Sequence, residues 1–186
     1  ARYTKVERRI WNDEKFMALS DLGKLVFFFL MTHPQQTAVG AFRASVPGLA
    51  CEIGWPIETF EKSLSELTAK DMVRVDRSAC FLVLPNFIKH NPPENPNVVI
   101  AWSKSIELLP ECRLLYELVD NIRQFIKTLP ESFQKGLPEP FRKGMPKGMP
   151  KQKQEQEQKN KQKQKQLQVT NLTQEEIDEF NAIFAQ

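Results

Sequence analysis

A chain of 186 residues with 41% hydrophobic residues can bury one core, and its longest apolar run, residues 25–31, is far shorter than the roughly 20 residues needed to span a bilayer. The net charge is +3, but charge is distributed unevenly near the C-terminal end. Residues 151–170 carry six lysines and two glutamates, whereas residues 171–186 carry four acids and no base. Three scattered cysteines and two histidines exclude a zinc pattern and a disulfide framework. We expect a soluble cytoplasmic protein with buried, reduced thiols and no membrane contact.

The first 44 residues predict an arm, two helices and a strand. Residues 2–11 are basic and alternate weakly, which indicates an extended arm. Asn12 or Asp13 can cap a short helix. Residues 20–31 form a second helix that is apolar on every side, so we expect it at the centre of the core. Residues 39–44 predict a brief strand.

The middle of the chain predicts a helix-turn-helix pair and a hairpin. A cap at Ser45 and a terminal Gly54 bound one helix, and residues 57–67 have one apolar face at helical spacing. Residues 73–84 contain two short alternating strands joined by a turn. This order is that of a winged helix. We expect a mainly α fold with a small β-hairpin (α+β), in which residues 1–90 are a winged helix-turn-helix domain.

The remainder divides into an extension and a long linker. Residues 91–129 combine a proline-rich connector with helices, and residues 111–129 have a heptad-like apolar seam. This seam fits packing on the same domain and also fits self-association with a second copy. Residues 130–170 contain Leu-Pro-Glu repeats and then a Gln/Lys-rich tract, which predict an extended, disordered linker.

Residues 171–186 predict a short acidic amphipathic helix. Thr173 and Glu176 form a capping box. A helix of about twelve residues is marginal alone in water, which favours folding against a partner protein, with folding back on its own domain as the alternative. The candidate partner-binding residues are those of its apolar stripe, Ile177, Phe180, Ile183 and Phe184.

The winged-helix pattern makes double-stranded DNA a candidate partner, because the helix after the turn enters the major groove in such domains. The predicted exposed residues of this helix also include Glu58, Glu61 and Glu66, which repel phosphate. These acids favour the alternative of a winged helix that binds only protein. The candidate DNA contacts are the basic and hydroxyl residues of the arm, helix-turn-helix and wing: Arg2, Lys5, Arg8, Arg9, Arg43, Thr59, Lys62, Ser63, Arg74 and Arg77.

No pattern in the chain predicts an enzyme. The glycines at 136, 144 and 148 lie in the proline repeats, not in a phosphate-binding loop between strand and helix. No Ser/His/Asp or Cys/His set has a spacing that would support catalysis. We expect no catalytic residue, no metal and no cofactor.

Several segments resemble phage and prophage replication proteins of the replisome-organiser or replication-initiation type, with a DnaD-like N-terminal winged helix. The resemblance covers residues 3–129, and also extends to the proline and glutamine repeats. It implies a DNA-binding adaptor in the cytoplasm of a bacterial host, which binds a phage replication origin and recruits the replicative helicase or its loader. A winged-helix transcriptional regulator, which would normally need a firm dimer, is the other interpretation. The segments are Ile10-Trp11-Asn12-Asp13-Glu14-Lys15-Phe16, Leu19-Ser20-Asp21-Leu22-Gly23-Lys24-Leu25, Val39-Gly40-Ala41-Phe42, Glu52-Ile53-Gly54-Trp55 and the connector Asn91-Pro92-Pro93-Glu94-Asn95-Pro96-Asn97.

Overall fold

The computed structural model describes residues 3–135 and 137–142. Within this part of the chain the fold is mainly helical with a small antiparallel sheet of three strands, as an α+β class requires. Two groups of predicted functional residues lie outside the described residues: Arg2, and the stripe of Ile177, Phe180, Ile183 and Phe184.

The elements follow the chain in a simple order. A 3-10 helix (Arg8–Asn12) leads into α1 (Glu14–Met17), α2 (Asp21–Met31), β1 (Ala41–Arg43), α3 (Val46–Ile53) and α4 (Ile57–Ala69). They are followed by β2 (Arg74–Asp76), β3 (Phe81–Val83), α5 (Phe87–His90), α6 (Pro96–Glu107), α7 (Arg113–Lys127), α8 (Glu131–Gln134) and α9 (Glu139–Arg142).

Side-chain caps begin three of the helices at the residues that the sequence predicts. Asp13, Ser20 and Ser45 each accept a hydrogen bond from the backbone amide three residues later, at 2.9, 3.0 and 3.2 Å. Gly54 ends α3 in the left-handed region at φ 75°. These local signals fix the starts of α1 and α2 and both ends of α3.

The sheet is the middle layer of the fold, with strand order β1-β3-β2. Phe42 on β1 lies opposite Leu82 on β3, and both pack in a core with residues of α1 to α4. Ala41 lies opposite Val83, and both pack in a second core with Trp102 and other residues of α6 and α7. Because side chains alternate along a strand, a single register serves both cores.

Two expectations for the first 31 residues are wrong. The arm is not extended throughout, since Arg8–Asn12 forms a 3-10 helix. Helix α2 is not buried on every side: Val26 and Leu30 are fully buried, but Leu22 and Leu25 are 44% and 50% exposed. The buried side of α2 packs against α4 and against Phe16 of α1, and the side that carries Leu22 and Leu25 faces solvent.

The prediction of an extended linker from residue 130 is wrong as far as Arg142. Each Leu-Pro-Glu repeat begins a single helical turn, closed by hydrogen bonds from Phe133 N to Pro130 O (2.9 Å) and from Phe141 N to Pro138 O (3.0 Å). Proline is compatible with the start of a helix because no intrahelical donor is needed there. Phe141 is buried and Phe133 is partly buried against the second core. The two repeats therefore extend the folded region.

The apolar seam of residues 111–129 packs within the same chain. Leu115, Leu118 and Ile122 are at most 3% exposed in the second core. A second copy could therefore contact only the remaining surface of α7.

Candidate nucleic-acid interface

Helix α4 presents a polar face beside a buried one. Phe60, Leu64 and Leu67 are at most 2% exposed, because α4 packs against α2 and α3. Glu58, Lys62 and Ser65 are exposed. Among the described residues, Lys62 has no ion pair within 4 Å, although its charge is one of the smaller causes that lower the pKa of Glu66.

The prediction that Ser63 is exposed is wrong. Its side chain is 2% exposed, and its hydroxyl donates to the Thr59 carbonyl oxygen at 3.0 Å. This bond within the helix satisfies the hydroxyl, because Ser63 faces the core about one helical turn after Phe60. Thr59 is half-buried. The structure therefore leaves Lys62 as the fully exposed member of the three predicted contacts on α4.

Two of the three glutamates on α4 are engaged with other elements. Glu61 Oε1 lies 2.6 Å from Arg77 Nη1 in the turn between β2 and β3. Glu66 accepts hydrogen bonds from the backbone N–H and the hydroxyl of Ser20, both at 2.9 Å, and the backbone bond is the main reason that the pKa of Glu66 is lowered. Within the described residues Glu58 has neither an ion pair nor a hydrogen bond from its side chain. Only one of the three carboxylates therefore stands without a compensating partner.

The two hairpin arginines point to different sides of the sheet. Arg74 lies opposite Val83, whose side chain is in the second core, and its guanidinium contacts Asp71 at 2.7 Å and Glu117 of α7 at 3.5 Å. The hydrogen bond between Arg74 and Asp71 raises the pKa of the arginine and lowers that of the aspartate. Arg77 instead reaches α4. The structure thus brings Arg77, but not Arg74, to the exposed face of α4.

Arg43 lies at the end of the sheet that carries the β2–β3 turn. It is opposite Phe81, the first residue of β3 after that turn, and the next residue, Ala44, donates to Cys80 O at 2.8 Å. Arg43 is exposed and, within the described part of the chain, has no ion pair. Because Phe81 packs in the second core, Arg43 lies on that face of the sheet, as Arg74 does, and not on the face of α4. We define the α4–turn surface as Glu58, Glu61 and Lys62 together with Arg77.

The basic arm is fastened to the segment after the hairpin. Lys5 N donates to Asn91 Oδ1 at 2.8 Å, and Lys5 Nζ lies 3.2 Å from Glu94. Glu7 lies 3.3 Å from Nδ1 of His90, a contact that is the main reason for the lowered pKa of Glu7. These contacts hold the arm from residue 4 onward against the rest of the chain. An extended segment that follows a DNA groove would instead be free of such contacts.

A groove of about 680 Å³ lies under this arm. Its lining includes the apolar Phe16, Phe27 and Leu84 and both cations and acids: Lys5, Arg9, Lys15 and Lys89 with Glu7, Asp13 and Asp71. Arg9 lies 3.4 Å from Glu7, whereas Arg8 is exposed and has no ion pair among the residues described. The arm cations thus form a second basic group, distinct in its contacts from the α4–turn surface.

His33 is a buried residue that sequence patterns did not single out. Its ring stacks on Phe42 with centroids 4.6 Å apart, and its Nε2 lies 2.7 Å from Glu52 Oε2 on α3. The Gln35 backbone N–H donates to its Nδ1 at 3.2 Å, which assigns the proton on the neutral ring to Nε2. This contact ties the end of α2 to the first helix of the pair. No local sequence signal predicts it, because the partners are far apart in the chain.

The described residues contain no group of three or more His, Cys, Asp or Glu side chains that could hold a metal ion. In the same residues no helix is both long and apolar enough to cross a membrane. Cys112 is buried, which raises the pKa of its thiol, but Cys51 is exposed, so the expectation of buried thiols is wrong for that residue.

No family model matches the sequence, and neither the characterised proteins nor the solved structures contain a significant match. The functional interpretation of the α4–turn surface therefore depends on its own geometry and charge.

Proposed function

We propose that this chain is a DNA-binding adaptor, in which the elements from α1 to α5 act as a winged helix. Helix α4 is placed in the major groove, and the β2–β3 turn, as the wing, lies against the adjacent backbone. The order of α2, β1, α3, α4 and hairpin supports this proposal, as does the sheet order β1-β3-β2.

The observation that carries the proposal is the distribution of free charge on the α4–turn surface. Lys62 is exposed on α4 and has no ion pair among the described residues, and Arg77 is held against the same helix. Arginine and lysine contacts to phosphate supply most of the sequence-independent affinity of DNA-binding proteins. Glu61 pairs with Arg77 and Glu66 bonds to Ser20, so Glu58 is the main group on α4 that repels phosphate.

The salt dependence of duplex binding by the full chain tests this role. Lys62→Ala should weaken binding by about 3- to 10-fold and reduce the slope of log K against log salt by about 1, because one phosphate contact is lost. Lys104→Ala is the matched control: it removes the same charge from α6, across the sheet, and should change the affinity by less than about 2-fold. Ser63→Ala should leave binding unchanged. Absence of duplex binding at low salt would refute the proposal.

The second half of the proposal concerns the partner protein. Segment 173–185, whose sequence predicts a capped amphipathic helix, recruits a replicative helicase or helicase loader during initiation of phage DNA replication, and the Gln/Lys-rich tract before it acts as a tether. The support is the sequence of that segment and the resemblance to phage replication proteins. Phe180→Ala should abolish co-purification with the replicative helicase or its loader, whereas Asn181→Ala, on the same segment, should not. Equal retention by both variants would count against this recruitment.

The alternative function is a protein-binding domain without DNA affinity, and the ion pairs of the basic residues favour it. Lys5, Arg9, Arg74 and Arg77 are each already paired with an acid of the same chain. This alternative predicts partner capture by segment 173–185 and no affinity for duplex DNA in the titration. A transcriptional regulator instead predicts a firm dimer in sedimentation, formed through a surface other than the buried seam of α7.

A further inference from the structure

The three glutamates of α4 have three different environments, although they lie on one helix and carry the same charge. Glu58 is exposed and has no partner among the described residues, Glu61 pairs with Arg77, and Glu66 bonds to Ser20 at the start of α2. A count of charges would treat them as three equal obstacles to DNA binding. Their contacts indicate otherwise.

The turn that carries Arg77 is anchored at its backbone. Asp76 Oδ1 accepts hydrogen bonds from the Ser78 hydroxyl at 2.7 Å and from the Ala79 N–H at 3.0 Å, and these bonds help to lower the pKa of Asp76 against the opposing effect of burial. Cys80 closes the turn with a φ of 48°. The base of the Arg77 side chain is therefore fixed, and its remaining freedom is that of its own rotatable bonds.

Glu61 restricts that remaining freedom. Its carboxylate contacts Arg77 through Nη1 alone, at 2.6 Å, and the arginine side chain remains 61% exposed. A guanidinium group has five N–H donors, so most of them stay available to a phosphate. An arginine side chain loses rotamer entropy when it is immobilised, and a partner that holds it beforehand lowers this cost.

We propose that Glu61 is a positioning residue that promotes DNA binding by holding the Arg77 guanidinium beside the exposed face of α4. This inference rests on the proposed function, because it assigns a role within the same surface. Its consequence is an inversion of sign: removal of the negative charge at position 61 weakens binding to a polyanion, whereas removal of the same charge at position 58 strengthens it.

The test compares Glu61→Gln with Glu58→Gln in the full chain, titrated with duplex DNA over a range of salt concentrations. Both variants keep the size of the side chain and remove one charge from the same helix. Glu58→Gln should bind about 2- to 3-fold more tightly, through relief of repulsion. Glu61→Gln should bind about 3- to 10-fold more weakly, and its salt slope should fall by about 1, as for a lost phosphate contact.

Arg77→Ala identifies the contact through which Glu61 acts. It should reproduce the weakening and the reduced slope of Glu61→Gln, and the double variant should be no weaker than Arg77→Ala alone. A role of Glu61 in fold stability alone would leave the salt slope unchanged. If Glu61→Gln binds as tightly as the unaltered protein, or more tightly, the positioning role is refuted while DNA binding stands. If the unaltered protein does not bind duplex DNA, both the positioning role and the proposed function are refuted.

Discussion

Replacement of Gly40 by alanine should destabilise the protein much more than the same replacement of Gly54. Both glycines adopt the left-handed conformation, at φ 77° and 75°. A Cβ at Gly54 would meet no atom within 4 Å, whereas a Cβ at Gly40 would lie 2.2 Å from Phe87 Cβ and 2.6 Å from Phe87 Cγ. The pair therefore separates backbone strain from steric conflict.

The expected magnitudes follow from these distances. An L-residue in the left-handed region costs about 1–2 kcal/mol, partly offset by the lower entropy of the unfolded alanine chain, so Gly54→Ala should cost about 1 kcal/mol. At Gly40 the Phe87 Cβ, and with it the backbone of α5, must also move by about 1 Å, and overpacking of this kind adds about 1–3 kcal/mol. The backbone cannot easily yield, because Gly40 O accepts from Leu84 N at 2.8 Å and Gly40 N donates to Thr37 O at 3.1 Å. Gly40→Ala should therefore cost about 2–4 kcal/mol.

Urea denaturation monitored by circular dichroism gives both free energies of unfolding, provided that the m-values stay equal. A double-mutant cycle with Phe87→Gly adds the decisive control, because glycine lacks the Cβ that lies nearest to the added methyl group and should relieve much of the cost of Gly40→Ala. Equal destabilisation by the two glycine substitutions, or strict additivity in the cycle, would show that α5 does not pack against Gly40, the residue before β1, as described.

Two further predictions concern α9 and the link between α4 and α2. Phe141→Ala should destabilise the protein by about 2–4 kcal/mol in urea denaturation, because the side chain is only 4% exposed. Phe133→Ala should cost less, because that ring is only partly buried. An unchanged stability for Phe141→Ala would mean that the second repeat does not pack against the second core. The pKa of Glu66 is lowered from 4.5 by its bonds to Ser20, so its carboxylate stabilises the fold above pH 4.5 and loses this effect as the pH falls through the lower folded value. Glu66→Gln should therefore cost up to about 1 kcal/mol at neutral pH, given the solvent exposure of the pair, and almost nothing near pH 3; a cost that does not vary with pH would contradict this assignment.

Helix boundaries in the first 54 residues were predictable from the sequence. The caps Asp13, Ser20 and Ser45 act on amides three residues away, and Gly54 ends α3 through its own backbone conformation. Such signals depend on one turn of chain, so they are visible without tertiary structure. The alternation that places Phe42 and Ala41 on opposite faces of β1 is equally local.

The proline repeats show where local reasoning fails. Frequent proline indicates an extended linker, yet Pro130 and Pro138 each stand at the start of one helical turn. These turns form where Phe133 and Phe141 can be buried against α6 and α7. A helical turn of four residues has little stability of its own, so its formation depends on a surface supplied by distant parts of the chain.

The candidate interface divides in the same way. The positions of the charged residues and of most helices were predictable from the sequence, because both depend on the residue and its nearest neighbours. The burial of Ser63, the pairing of Arg74 with Glu117 on α7 and the pairing of Arg77 with Glu61 on α4 depend instead on tertiary packing. Burial and ion pairing depend on the element that packs opposite each side chain, and that element is selected by the register of the sheet and by the two cores on its faces.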